Sequence, residues 1–134
     1  MAGYSGTPLP KKLGIKPGHR VSFFNEPAEF RDALGELPEG VEVRARARGP
    51  LDMIVAFCAR RSELEGRIER LLANIERDGA IWVAWPKRSS GVETDITEDV
   101  VRDVALPLGL VDNKVCAIDA TWSGLRLVIR LENR

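Results

Sequence analysis

The sequence predicts a single three-layer α/β domain. Its sheet is mostly parallel, of about six strands, covered by helices on both faces and closed by a C-terminal antiparallel hairpin. Three observations carry this. Strand-like and helix-like stretches alternate along the chain, as they do where parallel strands are joined by right-handed crossovers. Residues 79–87, GAIWVAWPK, are apolar in both alternating sets: Ile81, Val83 and Trp85 in one, Ala80, Trp82 and Ala84 in the other. A strand with one wet face alternates apolar and polar, whereas an unbroken apolar run marks a strand buried on both faces. Finally, only Thr121-Trp122-Ser123-Gly124 separates the last two strand-like runs, short enough to pair them antiparallel.

The elements follow in order. Residues 1–12 read as an N-terminal arm rich in Gly and Pro, with one helical turn over residues 9–13. Residues 13–134 form the domain. Lys16-Pro17-Gly18 is a turn, and Val21, Phe23 and Phe24 begin the first strand. Asn25 or Glu26 caps a helix with Pro27 in its first turn, where a missing N–H costs nothing. Phe30, Ala33, Leu34 and Leu37 give that helix its apolar face. In residues 41–48, Val41, Val43, Ala45 and Ala47 alternate with Glu42, Arg44, Arg46 and Arg48, the mark of a half-exposed edge strand. Residues 53–59, MIVAFCA, read as a central strand. Ser62-x-x-Glu65 is a capping box opening a helix through Leu64, Ile68, Leu71, Leu72 and Ile75, closed by Gly79. After the strand of residues 79–87, Asp95-x-x-Glu98 opens the last helix, with Ile96, Val100, Val101 and Val104 inward. Residues 115–120 and 125–131 make the hairpin.

Composition bounds the function. The chain has 134 residues, 44% hydrophobic and 30% charged, enough for one domain with a proper core. Twenty basic side chains balance twenty acidic ones. Such a chain has no global pull toward nucleic acid or anionic membrane. No apolar run is long enough to span a bilayer and no signal core precedes residue 13, so the expected location is cytoplasmic. Cys58 and Cys116 are far apart in apolar runs and read as reduced, packed thiols. One histidine and two separated cysteines make no metal site.

The order of elements resembles the core of the Rossmann-like S-adenosylmethionine-dependent methyltransferases. LGIKPGHRV (residues 13–21) is similar to the family's L-x-L-K-P-G-x-R-V lead-in to its first strand. LDMIV (51–55) is similar to F-D-L-V, and DGAIWV (78–83) to P-G-G-x-L-W-V. The resemblance spans roughly residues 13–131. It implies a cofactor turn after the first strand, with an acidic residue and glycines that let the backbone approach the nucleoside. Here the turn reads Ser22-Phe23-Phe24-Asn25-Glu26-Pro27-Ala28-Glu29. It has no glycine, and Pro27 removes a donor. Arginines stand where an acidic residue would hold the ribose. The resemblance thus leaves no S-adenosylmethionine site of the usual kind, and no cofactor is expected. Stretches such as YSGTPLPKKLGIKPG, DITEDVVR and TWSGLRLV also resemble an uncharacterised family of small bacterial proteins, which brings no activity with it.

Ligands of open α/β sheets bind outside the strands' carboxyl ends. In the resembled fold the loop after Trp85 and the hairpin turn share that end, which gathers Trp85, Lys87, Arg88, Ser89, Asp119, Thr121, Trp122 and Arg126, with Asn25, Glu26 and Cys58 further along. The six expected to bind ligand are Trp85, Lys87, Arg88, Ser89, Asp119 and Trp122. Basic groups, hydroxyls and two indoles suit an anionic or planar ligand, but as a packed core edge with wet cations they need no ligand. No catalytic residue is expected: Cys58 has no base near it, since His19 precedes the first strand, and Glu98 and Asp99 complement a helix dipole. The leading expectation is a non-catalytic module that binds a partner protein or a small ligand, its S-adenosylmethionine site lost. Edge and hairpin offer surfaces for a homodimer. The alternatives are an enzyme acting on a small anionic substrate at the rim of Lys87, Arg88 and Ser89, and a weak association of nucleic acid with Arg44, Arg46 and Arg48. Membrane is not an expected partner.

Overall fold

The computed structural model describes residues 7–134. The first half of the N-terminal arm lies outside the described residues. The expected turn of helix at its end is present as α1, Leu9–Leu13. Next come β1 (Arg20–Phe24), α2 (Phe30–Leu34), β2 (Glu42–Arg44), β3 (Leu51–Phe57), α3 (Arg61–Leu72), β4 (Ile75–Pro86), α4 (Glu98–Ala105), β5 (Leu110–Ala117) and β6 (Trp122–Ile129). The strands form one sheet in the order β2-β1-β3-β4-β6-β5. The first four are parallel, and β6 runs antiparallel between β4 and β5. This is the mixed α/β sheet that the alternation predicts.

The two apolar sets of β4 each serve a core. Ile81, Val83 and Trp85 pack with Leu64, Ile68 and Leu71 of α3 and Val101 and Ala105 of α4. Ala80, Trp82 and Ala84 face the other way, with Leu13 of α1, Phe30 and Leu34 of α2, and Phe57. Trp82 is fully buried, and its indole N–H donates to the Leu13 carbonyl at 2.9 Å. That bond satisfies the one polar atom of the largest core side chain and ties α1 to the sheet. Phe23, Phe30, Phe57 and Trp122 continue this core as a chain of edge-to-face rings, centroids 4.8–5.1 Å apart.

Several boundaries differ from the sequence reading, each for a physical reason. β2 keeps three residues of the expected eight. After Arg44 the chain must return to the start of β3 within six residues, so residues 45–50 leave the edge and cross the face of β1 as an extended strap. No helix covers this crossover. The far end of the strap is pinned to the end of α3: the Gly49 N–H donates to Asn74 Oδ1 at 2.8 Å, and the Leu51 N–H to the Asn74 carbonyl. A Cβ on Gly49 would stand 2.2 Å from that carbonyl oxygen, so only glycine fits.

α3 ends at Leu72, and Gly79 lies inside β4 rather than capping a helix. Neither expected capping box forms. Asp95 instead accepts from the Arg61 N–H at 2.7 Å, across from α4 to the start of α3. Thr97 takes the Val100 N–H and is the true N-cap of α4. α2 begins at Phe30, three residues past Pro27, because the side chains of Asn25 and Glu26 are engaged elsewhere. The hairpin strands each begin earlier than expected, so Trp122 and Gly124 lie in β6 rather than in the turn.

Candidate functional site

The fold changes direction at β1. From β1 the chain passes through α2, on the Trp82 side, to β2 at the edge. From β3 it passes through α3, on the opposite side, to β4. The carboxyl ends of β1 and β3 therefore flank the topological switch point, where ligands of open α/β sheets bind. Asn25 stands there with φ 58°, the one described non-glycine residue in the left-handed region. Asparagine is among the few residues that accept this conformation readily. Its side-chain amide donates to the Phe57 carbonyl at 3.1 Å and to Glu63 Oε2 at 3.2 Å. Glu63, in the first turn of α3, also accepts from the Ala59 N–H at 3.2 Å. An amide and a carboxylate thus span the mouth between β1 and β3. Glu26 pairs with Arg31 at 2.6 Å and does not enter this mouth.

A cleft of about 400 Å³ descends from Asn25 along the exposed side of β1. Ser22 and Phe24 form its floor, residues 45–48 of the strap one wall, and Arg67, Arg70 and Leu71 of α3 the other. The Arg67 guanidinium lies 5.0 Å from the centre of the Phe24 ring. The cleft exists because the β2–β3 crossover is a strap instead of a helix. Residues 45–48, expected as strand, form this wall instead. The available signal was spacing: a strand reaching residue 48 leaves almost no chain to cross β1 before residue 51.

The residues expected to bind ligand lie elsewhere. The backbone does bring the loop after Trp85 to the hairpin turn: Pro86 pairs with Trp122, and the Lys87 N–H donates to the Thr121 carbonyl at 2.7 Å. Trp85 and Trp122, however, pack on opposite faces of the sheet. Asp119 is occupied, accepting the N–H groups of Thr121 and Trp122 at 2.8 Å each. Arg88 and Ser89 are exposed, and the loop hydroxyl that bonds the Lys87 carbonyl is that of Ser90. The depression beside Trp85 and Arg88 is walled by Val92, Glu93 and Thr94, not by Trp122. Arg126 lies across the sheet beside Lys12 and Asn113, and burial lowers its pKa.

Cys58 is 1% exposed, and burial, with the Glu63 charge adding to it, pushes its thiol up to about 12. A thiol held protonated is no nucleophile. Cys116 is only half-buried. His19 sits at the other end of the sheet, its ring accepting the Lys16 N–H. Among the described residues, no cluster of His, Cys, Asp or Glu could hold a metal ion, and no helix is long and apolar enough to cross a membrane.

No protein-family model and no curated protein matches the chain. Solved structures do. A ribosomal protein L11 methylase from Lactobacillus delbrueckii subsp. bulgaricus superimposes with a TM-score of 0.57 at 13% identity, covering 91% of this chain and 75% of that one. A SAM dependent methyltransferase from Aquifex aeolicus gives 0.58 at 13%, covering 89% and 87%. The magnesium protoporphyrin IX methyltransferase of Synechocystis PCC 6803, with bound SAM, gives 0.56 at 11%, covering 91% and 74%. The chain has the Rossmann-like methyltransferase fold. At these identities the likeness establishes fold, and no residue inherits a role from it.

These matches correct the functional expectation. The reading of a non-catalytic binding module with a lost S-adenosylmethionine site, and with it the alternatives at the Lys87 rim and on the arginine strand, does not stand. The chains that share its architecture over nine-tenths of its length are methyltransferases, one of them with the cofactor bound. Missing glycines tell which backbone contacts a turn cannot make. They do not tell to which class the domain belongs. The turn also retains its left-handed step, supplied by Asn25. Nor do the three arginines form a row: Arg44 turns to Glu42 at 2.6 Å and to the Arg48 carbonyl.

Proposed function

We propose that this protein is an S-adenosylmethionine-dependent methyltransferase that holds its cofactor at the mouth between β1 and β3 through side chains. The observation that carries the reading is the pairing of Asn25 and Glu63 across the topological switch point of a methyltransferase fold. Pro27 brings no N–H and Glu26 is held by Arg31, so the backbone cradle of a glycine-rich turn is not available. Each Glu63 oxygen already accepts one N–H and keeps a second lone pair, so the carboxylate suits the hydroxyls of a ribose. The Asn25 carbonyl oxygen remains free for a donor. When bound, the cofactor supplies an electrophilic methyl group. Asn25 and Glu63 orient it, and Phe24 gives the adjoining cleft an apolar surface. The closer kinship with small bacterial proteins and a cytoplasmic location belong to this proposal and not to the fold.

Titration calorimetry with S-adenosylhomocysteine tests the reading on the full chain. Saturable one-to-one binding is expected. Replacing the charge in Glu63→Gln should weaken it about tenfold, the worth of one charge-assisted hydrogen bond. Absence of binding at millimolar ligand, with the chain folded by circular dichroism, would refute it.

A further inference from the structure

Seven of the fifteen arginines are ion-paired: Arg20 with Asp52 and Glu76, Arg31 with Glu26, Arg44 with Glu42, Arg60 with Glu93, Arg61 with Glu65, Arg102 with Glu98, Asp99 and Asp112, and Arg130 with Glu132. Of the eight with no such partner among the described residues, four converge on the one cleft beside β1. Arg46 and Arg48 on the strap and Arg67 and Arg70 on α3 have no ion pair with any described carboxylate. The lining of the cleft contains no acidic residue at all. Like charges on facing walls repel, so in a protein with equal numbers of acids and bases this grouping costs stability unless an anion neutralises it.

A second, independent observation points the same way. Ser22 is 1% exposed, the one buried polar residue among the described residues. It lies on the floor of the cleft. A hydroxyl at the base of four guanidinium groups adds one more donor for the oxygen of an anion. Arg67 is also positioned in advance by its contact with the Phe24 ring, so less rotamer freedom is lost on binding.

We infer that this cleft is a binding site for the phosphate of a small phosphate-bearing molecule, held by Arg46, Arg48, Arg67 and Arg70 above the Ser22 hydroxyl. Guanidinium forks match phosphate oxygens two at a time, and four of them suit a diphosphate better than a single carboxylate. The volume, about 400 Å³, is that of a small-molecule site. Walls on both sides and a chain of zero net charge favour a compact ligand over a nucleic-acid backbone, which draws on an extended basic surface. The cleft opens at Asn25, beside the proposed cofactor mouth. As the site of a methyl acceptor it rests on the methyltransferase reading. As an anion site it stands without that reading.

The test is calorimetry and thermal shift on the full chain at low salt, with inorganic pyrophosphate, ADP, adenosine and a single-stranded oligonucleotide as probes. Pyrophosphate and ADP should bind and raise the melting temperature, and adenosine should not. ADP tighter than pyrophosphate identifies a nucleotide site; equal affinities identify a site for the phosphates alone. The double variants Arg67→Ala/Arg70→Ala and Arg46→Ala/Arg48→Ala should each weaken binding at least tenfold, and Arg67→Lys about threefold or more. Arg77→Ala, an exposed cation outside the cleft, should leave binding unchanged. No phosphate binding, equal weakening by Arg77→Ala, or an oligonucleotide bound more tightly than ADP would overturn the inference. S-adenosylhomocysteine binding is measured separately, so failure of either proposal is seen without the other.

Discussion

Two regions at the carboxyl end of one sheet make opposite uses of similar residues. Around β4 and the hairpin, Asp119 closes the turn, Lys87 joins it by its backbone, and the two tryptophans support separate cores, while Arg88 and Ser89 stand exposed on an open loop. Around β1, the strap and α3, four guanidinium groups without carboxylate partners converge on one cleft above a buried serine. Both regions carry arginine or lysine, aromatic rings and serine, so residue type does not separate them. What separates them is whether the unpaired cations converge. On an open loop they point into solvent; on facing walls of a cleft they share one space that a ligand can fill.

The comparison breaks most sharply at Trp82. Trp82→Ala should destabilise the chain by about 3–5 kcal/mol, through loss of a fully buried ring and of its bond to Leu13. Urea denaturation measures this. Gly49→Ala comes next. A Cβ driven into the Asn74 carbonyl must move the strap or the end of α3, at a cost of roughly 2–3 kcal/mol, near the upper range for overpacking. It should also disturb the cleft, so stability and pyrophosphate affinity fall together. Asp119→Ala should cost about 1–2 kcal/mol by freeing two N–H groups, and leave affinity for pyrophosphate unchanged.

Alkaline pH gives a smaller effect. The Cys58 thiol is raised to about 12 in the folded chain, against an ordinary value of 9.0. Unfolded chains lose this proton first, so the contribution is fully present below about pH 9 and is lost as pH rises toward 12. Stability measured against pH should fall less steeply there in Cys58→Ala. Smallest of all in stability is Arg67→Ala, within about 0.5 kcal/mol of the parent, as for an exposed side chain with no ion pair. That variant should nonetheless show one of the larger losses of anion binding. An Arg67→Ala chain that unfolds easily, or an Asp119→Ala chain that loses pyrophosphate, would erase the distinction between the two regions.

Much of the fold was legible because it is written in apolar periodicity. The double apolar set of β4 placed it at the centre, and the short turn before Gly124 predicted the hairpin. The extended β2 was misread because Val41, Val43, Ala45 and Ala47 keep strand alternation while the chain leaves the sheet. Alternation reports a face that is covered, and the strap's Ala47 is covered by the α3 core just as a strand residue would be. Capping boxes failed for a related reason: Ser62 and Asp95 have suitable spacing, but tertiary contact gave Asp95 to Arg61. The site was the least legible part. Arg67 and Arg70 are some twenty residues from Arg46 and Arg48, and nothing local joins them. Only the missing crossover helix brings them to one cleft.

Residue-by-residue amide chemical shifts, followed by NMR as S-adenosylhomocysteine and then pyrophosphate are added to the full chain, test the central claim most directly. S-adenosylhomocysteine should perturb Asn25, Ala59 and Glu63 first. Pyrophosphate should perturb Ser22, Phe24, Arg46 and Arg67. Perturbations confined to Lys87–Gly91 and Thr121–Trp122, or none with either ligand, would contradict the account.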